Sequence, residues 1–213
     1  MMSKFQKHVI ALRHILIGKG YHRALQAMAL GEQYHTGMRK DGVTPEFHHQ
    51  VRIALYILTL PSVIDEEGTI CTVFLHDIME DYGLAQSELD QKFGIEVGVS
   101  TWRVTKKYRG MKKEPTAFFN EMSTDCRSSL VKGADRLDNL QSMIGVFTLE
   151  KQEKYIEEAE TLFLPMLKES SKNFPQQFMA YMNIRTRLKD QIALLKHSVE
   201  LSKKLLQVET QNA

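Results

Sequence analysis

Tyr181, Ile184, Leu188, Ile192, Leu195 and Val199 recur at steps of three, four, four, three and four, which gathers them on one side of an α-helix. A strand would need alternation, so this segment predicts a long terminal helix over about residues 176–206 with one buried face. The same period opens the chain: Phe5, Val9, Leu12 and Leu16 precede Gly18 and Gly20, which end a first helix. A second helix is expected from about Tyr21 to His35, stopping near Gly37. Thr44-Pro45-Glu46 combines a capping hydroxyl, a proline suited to the first helical position and an acid for the positive helix end. A helix is therefore expected to start at Thr44 and run through Ile53-Ala54-Leu55-Tyr56-Ile57-Leu58 until Pro61. Gln86 to Phe93 reads as a short helix closed by Gly94. Ile95 to Val104 is β-branched but has no hairpin turns around it, so it too reads as helix. The basic stretch from Lys106 to Pro115, with Gly110 inside it, is expected to be an exposed loop. With no repeat, linker or low-complexity tract, residues 1–213 read as a single all-α domain.

The bulk numbers narrow the function classes. Of 213 residues, 43% are apolar and 25% charged, an ordinary mix for one globular domain with a real core. The net charge of +2, from 28 basic and 26 acidic side chains, provides no field of the kind that gathers nucleic acid or a membrane surface. Neither partner is expected, and homo-oligomerisation is left open. Cys71 and Cys126 have no metal-site spacing and are too few for a disulfide framework, which fits buried thiols in a reducing compartment. The opening apolar stretch is broken by His8, Arg13 and His14, so it lacks a signal-peptide core, and no run reaches membrane-spanning length. A cytoplasmic protein is expected.

The chemistry concentrates where an apolar run, Thr69 to Leu75, ends in His76-Asp77-Ile78-Met79-Glu80-Asp81. On a continuous helix His76 pairs with Glu80 and Asp77 with Asp81, four apart, in two adjacent stripes. Three carboxylates this close repel unless a cation sits among them, and a divalent metal also accounts for the histidine. The plain alternative is a helix surfacing into water with its acids solvated. Two distant segments bear on the choice. One is Thr44-Pro45-Glu46-Phe47-His48-His49 followed by Ile53-Ala54; the other is Val131-Lys132-Gly133-Ala134-Asp135-Arg136-Leu137-Asp138-Asn139-Leu140.

A His, then His-Asp, then a remote Asp resembles the ligand order of the HD superfamily of metal phosphohydrolases. Within it the chain is most similar to the (p)ppGpp hydrolase domains of the RelA/SpoT type and their small stand-alone relatives. The matching text is Arg39-Lys40-Asp41-Gly42, Pro45, His49, Ile53-Ala54, His76-Asp77, Glu80-Asp81 and Ala134-Asp135-Arg136-Leu137-Asp138-Asn139, across about residues 20–170. Two positions depart from that pattern. Gln50 replaces the proline that usually follows the first metal histidine, and Asp138 stands where this branch often has His or Tyr.

The resemblance implies an HD-domain helical bundle whose metal ligands are His49, His76, Asp77 and Asp135. Spacing from Pro45 and to Ile53-Ala54 selects His49 rather than His48, which is expected to point about 100° away, toward the surface. Two imidazoles and two carboxylates suit a borderline divalent metal, Mn²⁺ first, with Fe²⁺, Co²⁺ or Zn²⁺ behind it. Glu80 is then expected to orient or deprotonate the attacking water, with Asp81 assisting the proton transfer. Arg39 and Lys40 are expected at the substrate end, one stacking on a purine and the other pairing with phosphate. Asn139 reads equally well as a contact to ribose or phosphate and as a tie between helices. Arg136 is expected to be an ion-pair partner beside the metal helix, and His35 to be structural. The cluster Lys106, Lys107, Arg109, Lys112 and Lys113 reads as a solvated loop more readily than as a nucleotide trap. The implied reaction is removal of the 3′-pyrophosphate from guanosine tetra- or pentaphosphate. Its rivals are the same site acting on a deoxynucleoside triphosphate or NADPH, and an inactive nucleotide-binding module.

Overall fold

The computed structural model describes residues 2–211; Met1 and residues 212–213, the outermost ends of the expected 1–213 domain, lie outside the described residues. The chain runs through α1 (Lys4–Gly18), α2 (His22–Tyr34), α3 (Phe47–Ile57), α4 (Glu66–Leu75), α5 (Ile78–Tyr82), α6 (Gln86–Phe93) and α7 (Ile95–Val104). A two-stranded hairpin, β1 (Lys107–Tyr108) and β2 (Met111–Lys112), leads into α8 (Pro115–Ser123), α9 (Cys126–Gln141), α10 (Leu149–Glu158), α11 (Leu164–Asn173) and α12 (Phe178–Gln211). The architecture is all-α, as the periodicity predicts. Among the described residues no helix is long and apolar enough to cross a membrane.

Two helices form the centre. Every residue of α4 from Gly68 to Leu75 is buried, and α4 packs on α2, α3, α7 and α9. A helix enclosed on all sides must be apolar all round, which is why Thr69 to Leu75 lacks the one-sided pattern of α12. α9 packs on α3, α4, α7, α8, α11 and α12. Its Gly133 permits the close approach, because a Cβ there would meet Leu167 Cδ2 at 2.8 Å and Ile184 Cγ2 at 3.1 Å. All six residues of the α12 stripe are buried, and each fully buried aliphatic contributes about 1.5–3 kcal/mol. Tyr181, also buried, satisfies its hydroxyl on Ser129 Oγ of α9 at 2.8 Å.

Several expected boundaries move. α3 begins at Phe47 rather than after Thr44, because the Thr44 hydroxyl donates to Asp41 Oδ2 at 2.5 Å and Met38 bridges Pro45 across the preceding loop. The Asp41 side chain captures the would-be cap and closes a turn instead. The basic loop also differs from expectation: Lys107 pairs with Lys112 and Tyr108 with Met111, around Arg109 and Gly110, both at positive φ. From α10 into α11 the chain widens to a five-residue-per-bond turn at Ala159–Phe163, just before Pro165 removes an N–H from the ladder.

Candidate active site

Three elements converge on one end of a cleft of about 1160 Å³. α3 brings His49, the junction of α4 and α5 brings His76 and Asp77, and α9 brings Asp135. Donor atoms of His49, His76 and Asp77 lie within 4.8 Å of one another. Asp135 Oδ1 is 3.1 Å from His49 Nε2, so the fourth residue closes the group.

The segment His76–Asp81 is not one helix. The chain turns at His76–Asp77 and restarts as α5, which Gly83 ends at φ 72° with its N–H on Met79 O. Asp77 and Asp81 keep their one-turn spacing, with Asp81 N–H on Asp77 O at 2.8 Å, while His76 stays at the end of α4. What the break achieves is local: His76 Nδ1 donates to Val73 O at 2.6 Å, which fixes the tautomer and aims Nε2 into the cluster. That Nε2 is buried and has no hydrogen-bond partner, although Asp77 Oδ2 is 3.0 Å away, out of alignment. A buried polar atom without a partner is costly unless something binds it. With two imidazole nitrogens and two carboxylates around it, the donor set fits a divalent cation.

Electrostatics bind the cluster together. Burial alone would push His76 down, but the Asp77 and Asp135 carboxylates carry it up to about 9. Asp77 and Asp135 sit below the usual carboxylate range: burial opposes this, but His76 outweighs it at Asp77 and Lys132 at Asp135. Lys132 escaped the sequence reading. Its ammonium is 3.0 Å from Asp135 Oδ2 inside the same pocket, and the only sequence signal was a lysine one turn before Asp135. Asp138 escaped as a partner too: Oδ2 accepts from His49 Nδ1 at 2.6 Å and from Arg52 Nη2 at 2.7 Å.

Glu80 and Asp81 line the cleft beside the cluster. The Glu80 carboxylate accepts the backbone N–H groups of Lys106 at 2.9 Å and Lys107 at 3.3 Å, so the hairpin holds it. Asp81 faces the cleft; desolvation by its walls, then the charges of Asp77, Glu80 and Glu46, push it up to about 6. Across the cleft, Arg39 Nη2 donates to Asn139 Oδ1 at 3.0 Å and to Ser142 Oγ at 3.2 Å. Asn139 Nδ2 in turn donates to Asp135 Oδ1 at 2.6 Å. Asn139 thus ties the Arg39 loop to the cluster. Lys40 lies over the Phe147 ring at 5.2 Å, and Lys151 over the same ring at 3.9 Å.

His48 departs from expectation. It faces away from the cluster but is buried, because α1 covers that side: Phe5 lies 5.2 Å from its ring and His8 Nδ1 is 3.2 Å from its Nε2. Burial, then Arg52 and His8, lower it to about 4. Arg136 pairs with Glu158 at 2.9 Å between the Tyr155 and Phe163 rings, as the sequence suggested. His35 is buried beside Tyr82, and burial lowers it to about 4.

A family model described as HD domain matches residues 27–168. The chain belongs to the HD-domain family. The HD domain here is 28% identical over 174 residues to a GTP pyrophosphokinase of Brucella melitensis, covering 78% of this chain and 22% of that protein. The chain thus spans about a fifth of the length of such bacterial relatives. It is 31% identical over 108 residues to the guanosine-3′,5′-bis(diphosphate) 3′-pyrophosphohydrolase of Drosophila melanogaster, covering 49% of this chain and 60% of that protein. A solved structure described as a metazoan ortholog of SpoT that hydrolyzes ppGpp superposes with a TM-score of 0.60 at 21% identity. That superposition covers 81% of this HD-domain chain and 95% of the other.

Proposed function

We propose that this HD domain hydrolyses the 3′-pyrophosphate of guanosine tetra- or pentaphosphate, giving GDP or GTP and pyrophosphate, with a divalent cation, Mn²⁺ first, held by His49, His76, Asp77 and Asp135. The observation that carries the reading is the single cleft with this donor group at one end and Arg39 and Lys40 on its wall. The named activity of the fly relative supports the substrate.

A cation in this donor set supplies Lewis acidity, acidifying water and neutralising phosphate charge. The protein's own residues do the rest. Glu80, fixed by the hairpin amides, orients the attacking water at the phosphorus joined to the 3′ oxygen. Its proton passes to the Glu80–Asp81 pair, and Asp81, at about 6, is poised to hold it and hand it on near neutral pH. As water adds to phosphorus, the bond to the 3′ oxygen breaks and that oxygen takes a proton. Arg39 offers a planar cation to stack on the guanine, and its ties to Asn139 and Ser142 preorganise it. Lys40 pairs with a phosphate.

The test is a nucleotide panel incubated with purified, Mn²⁺-loaded protein, with products resolved chromatographically. GDP and pyrophosphate from guanosine tetraphosphate are expected. Turnover only of a deoxynucleoside triphosphate or of NADPH would reassign the substrate, and turnover of nothing would leave a binding module.

A further inference from the structure

His49 and Arg52, one turn apart on α3, face Asp135 and Asp138, one turn apart on α9. The two pairs interlock. His49 Nε2 is 3.1 Å from Asp135 Oδ1, while His49 Nδ1 is 2.6 Å from Asp138 Oδ2, which also accepts from Arg52 Nη2 at 2.7 Å. Asp138 is 7% exposed, and a buried carboxylate persists only when its charge is paired and its lone pairs are occupied. Arg52 pairs the charge, and both neighbours' hydrogen bonds fall on Oδ2. An ionised carboxylate accepts hydrogen bonds and donates none, so the proton between the two groups resides on His49 Nδ1. Nε2 faces Asp135 Oδ1 and the donor cluster, where a bound cation would take the place of any proton between them.

We infer that Asp138, clamped by Arg52, is a positioning residue that sets the His49 tautomer and strengthens its Nε2 as a metal ligand. This rests on the reading of His49 as a ligand. It is a feature of this chain, because the family resembled often carries His or Tyr at this position, neither of which places a full negative charge on Nδ1–H. An anionic acceptor there raises the basicity of the far nitrogen and locks the ring against rotation.

The experiment uses the full chain with ¹⁵N-labelled histidine. In metal-free wild type, nitrogen-resolved NMR is expected to show His49 Nδ1 protonated. In Asp138→Ala the Nδ1 proton should be lost, leaving Nε2, opposite Asp135, as the protonated nitrogen, and Mn²⁺ affinity by calorimetry should fall about 10–100-fold, the usual loss when such a supporting carboxylate is removed. Asp138→Asn keeps an acceptor without the charge and covers the case in which the alanine variant fails to fold. It should retain the Nδ1 proton and lose less affinity than alanine. A bare Nδ1 in the wild type overturns the inference, as does Mn²⁺ affinity within about threefold of wild type in both variants. A wild type that binds no divalent cation sinks the metal reading itself, an outcome separable from the tautomer result because the latter is read without metal.

Discussion

The Glu80 carboxylate accepts the backbone N–H of Lys106 at 2.9 Å, across 26 residues of chain. A side chain on a five-residue helix is thereby fixed by a hairpin rather than by its own element. Glu80→Gln keeps the size and still offers an oxygen to the hairpin, but it removes the charge. The expected result is a kcat reduced by about a hundredfold or more, the usual contribution of a positioned acid–base group. Bound Mn²⁺ and KM should stay close to wild type. Metal loss in step with activity would make Glu80 a ligand, and unchanged kcat would make it a solvated surface acid.

Adjacent histidines should separate cleanly. His49→Ala and Asp77→Ala are each expected to abolish turnover and strip the metal, measured by elemental analysis, because each removes a donor from a cluster spanning 4.8 Å. His48→Ala should keep its metal but lose about 1–2 kcal/mol of stability, since the ring is buried against Phe5 and His8. Metal loss in His48→Ala with retention in His49→Ala would shift the assignment by one residue.

Arg39 touches Asn139 and Ser142, and through Asn139 it reaches Asp135. Arg39→Ala is expected to raise KM about tenfold or more, about 1.4 kcal/mol of binding, with kcat changed less than threefold. Bound metal should be unaffected. If metal content fell instead, the arginine would be supporting Asp135 through Asn139 and not the substrate.

Asp65 caps α4 through Gly68 N and pairs with Arg127 Nε of α9 at 2.6 Å. Burial alone raises its carboxyl, but the hydrogen bonds from Arg127 and Gly68 and the guanidinium charge outweigh that and hold it below the ordinary range. The depressed folded pKa means the pair stabilises the protein above the unfolded value of about 3.9 and that this stability is lost as pH falls further. Asp65→Asn keeps the cap and removes the charge. Its Tm should sit about 2–4 °C below wild type at pH 7 for a loss of about 1 kcal/mol, and the gap should close below about pH 4. A gap that persists unchanged into acid would show that the charge is irrelevant.

The sequence by itself determined the helical class, the extent of α6 and α7, the buried face of α12 and the segments that carry His49, His76, Asp77 and Asp135. Those signals are local: period, caps and motif spacing survive without knowledge of what packs where. Tertiary structure decided the rest. The break at His76–Asp77 leaves no mark in composition, since the surrounding α4 is apolar on every side and its period is silent. The hairpin at residues 107–112 is too short for alternation to register, yet it holds Glu80. α1 folds over His48 from forty residues away, turning an expected surface residue into a buried one. Asp138 joined the site only when α9 met α3, because a charge reveals its role through the partner it faces, and its partners His49 and Arg52 come from another helix.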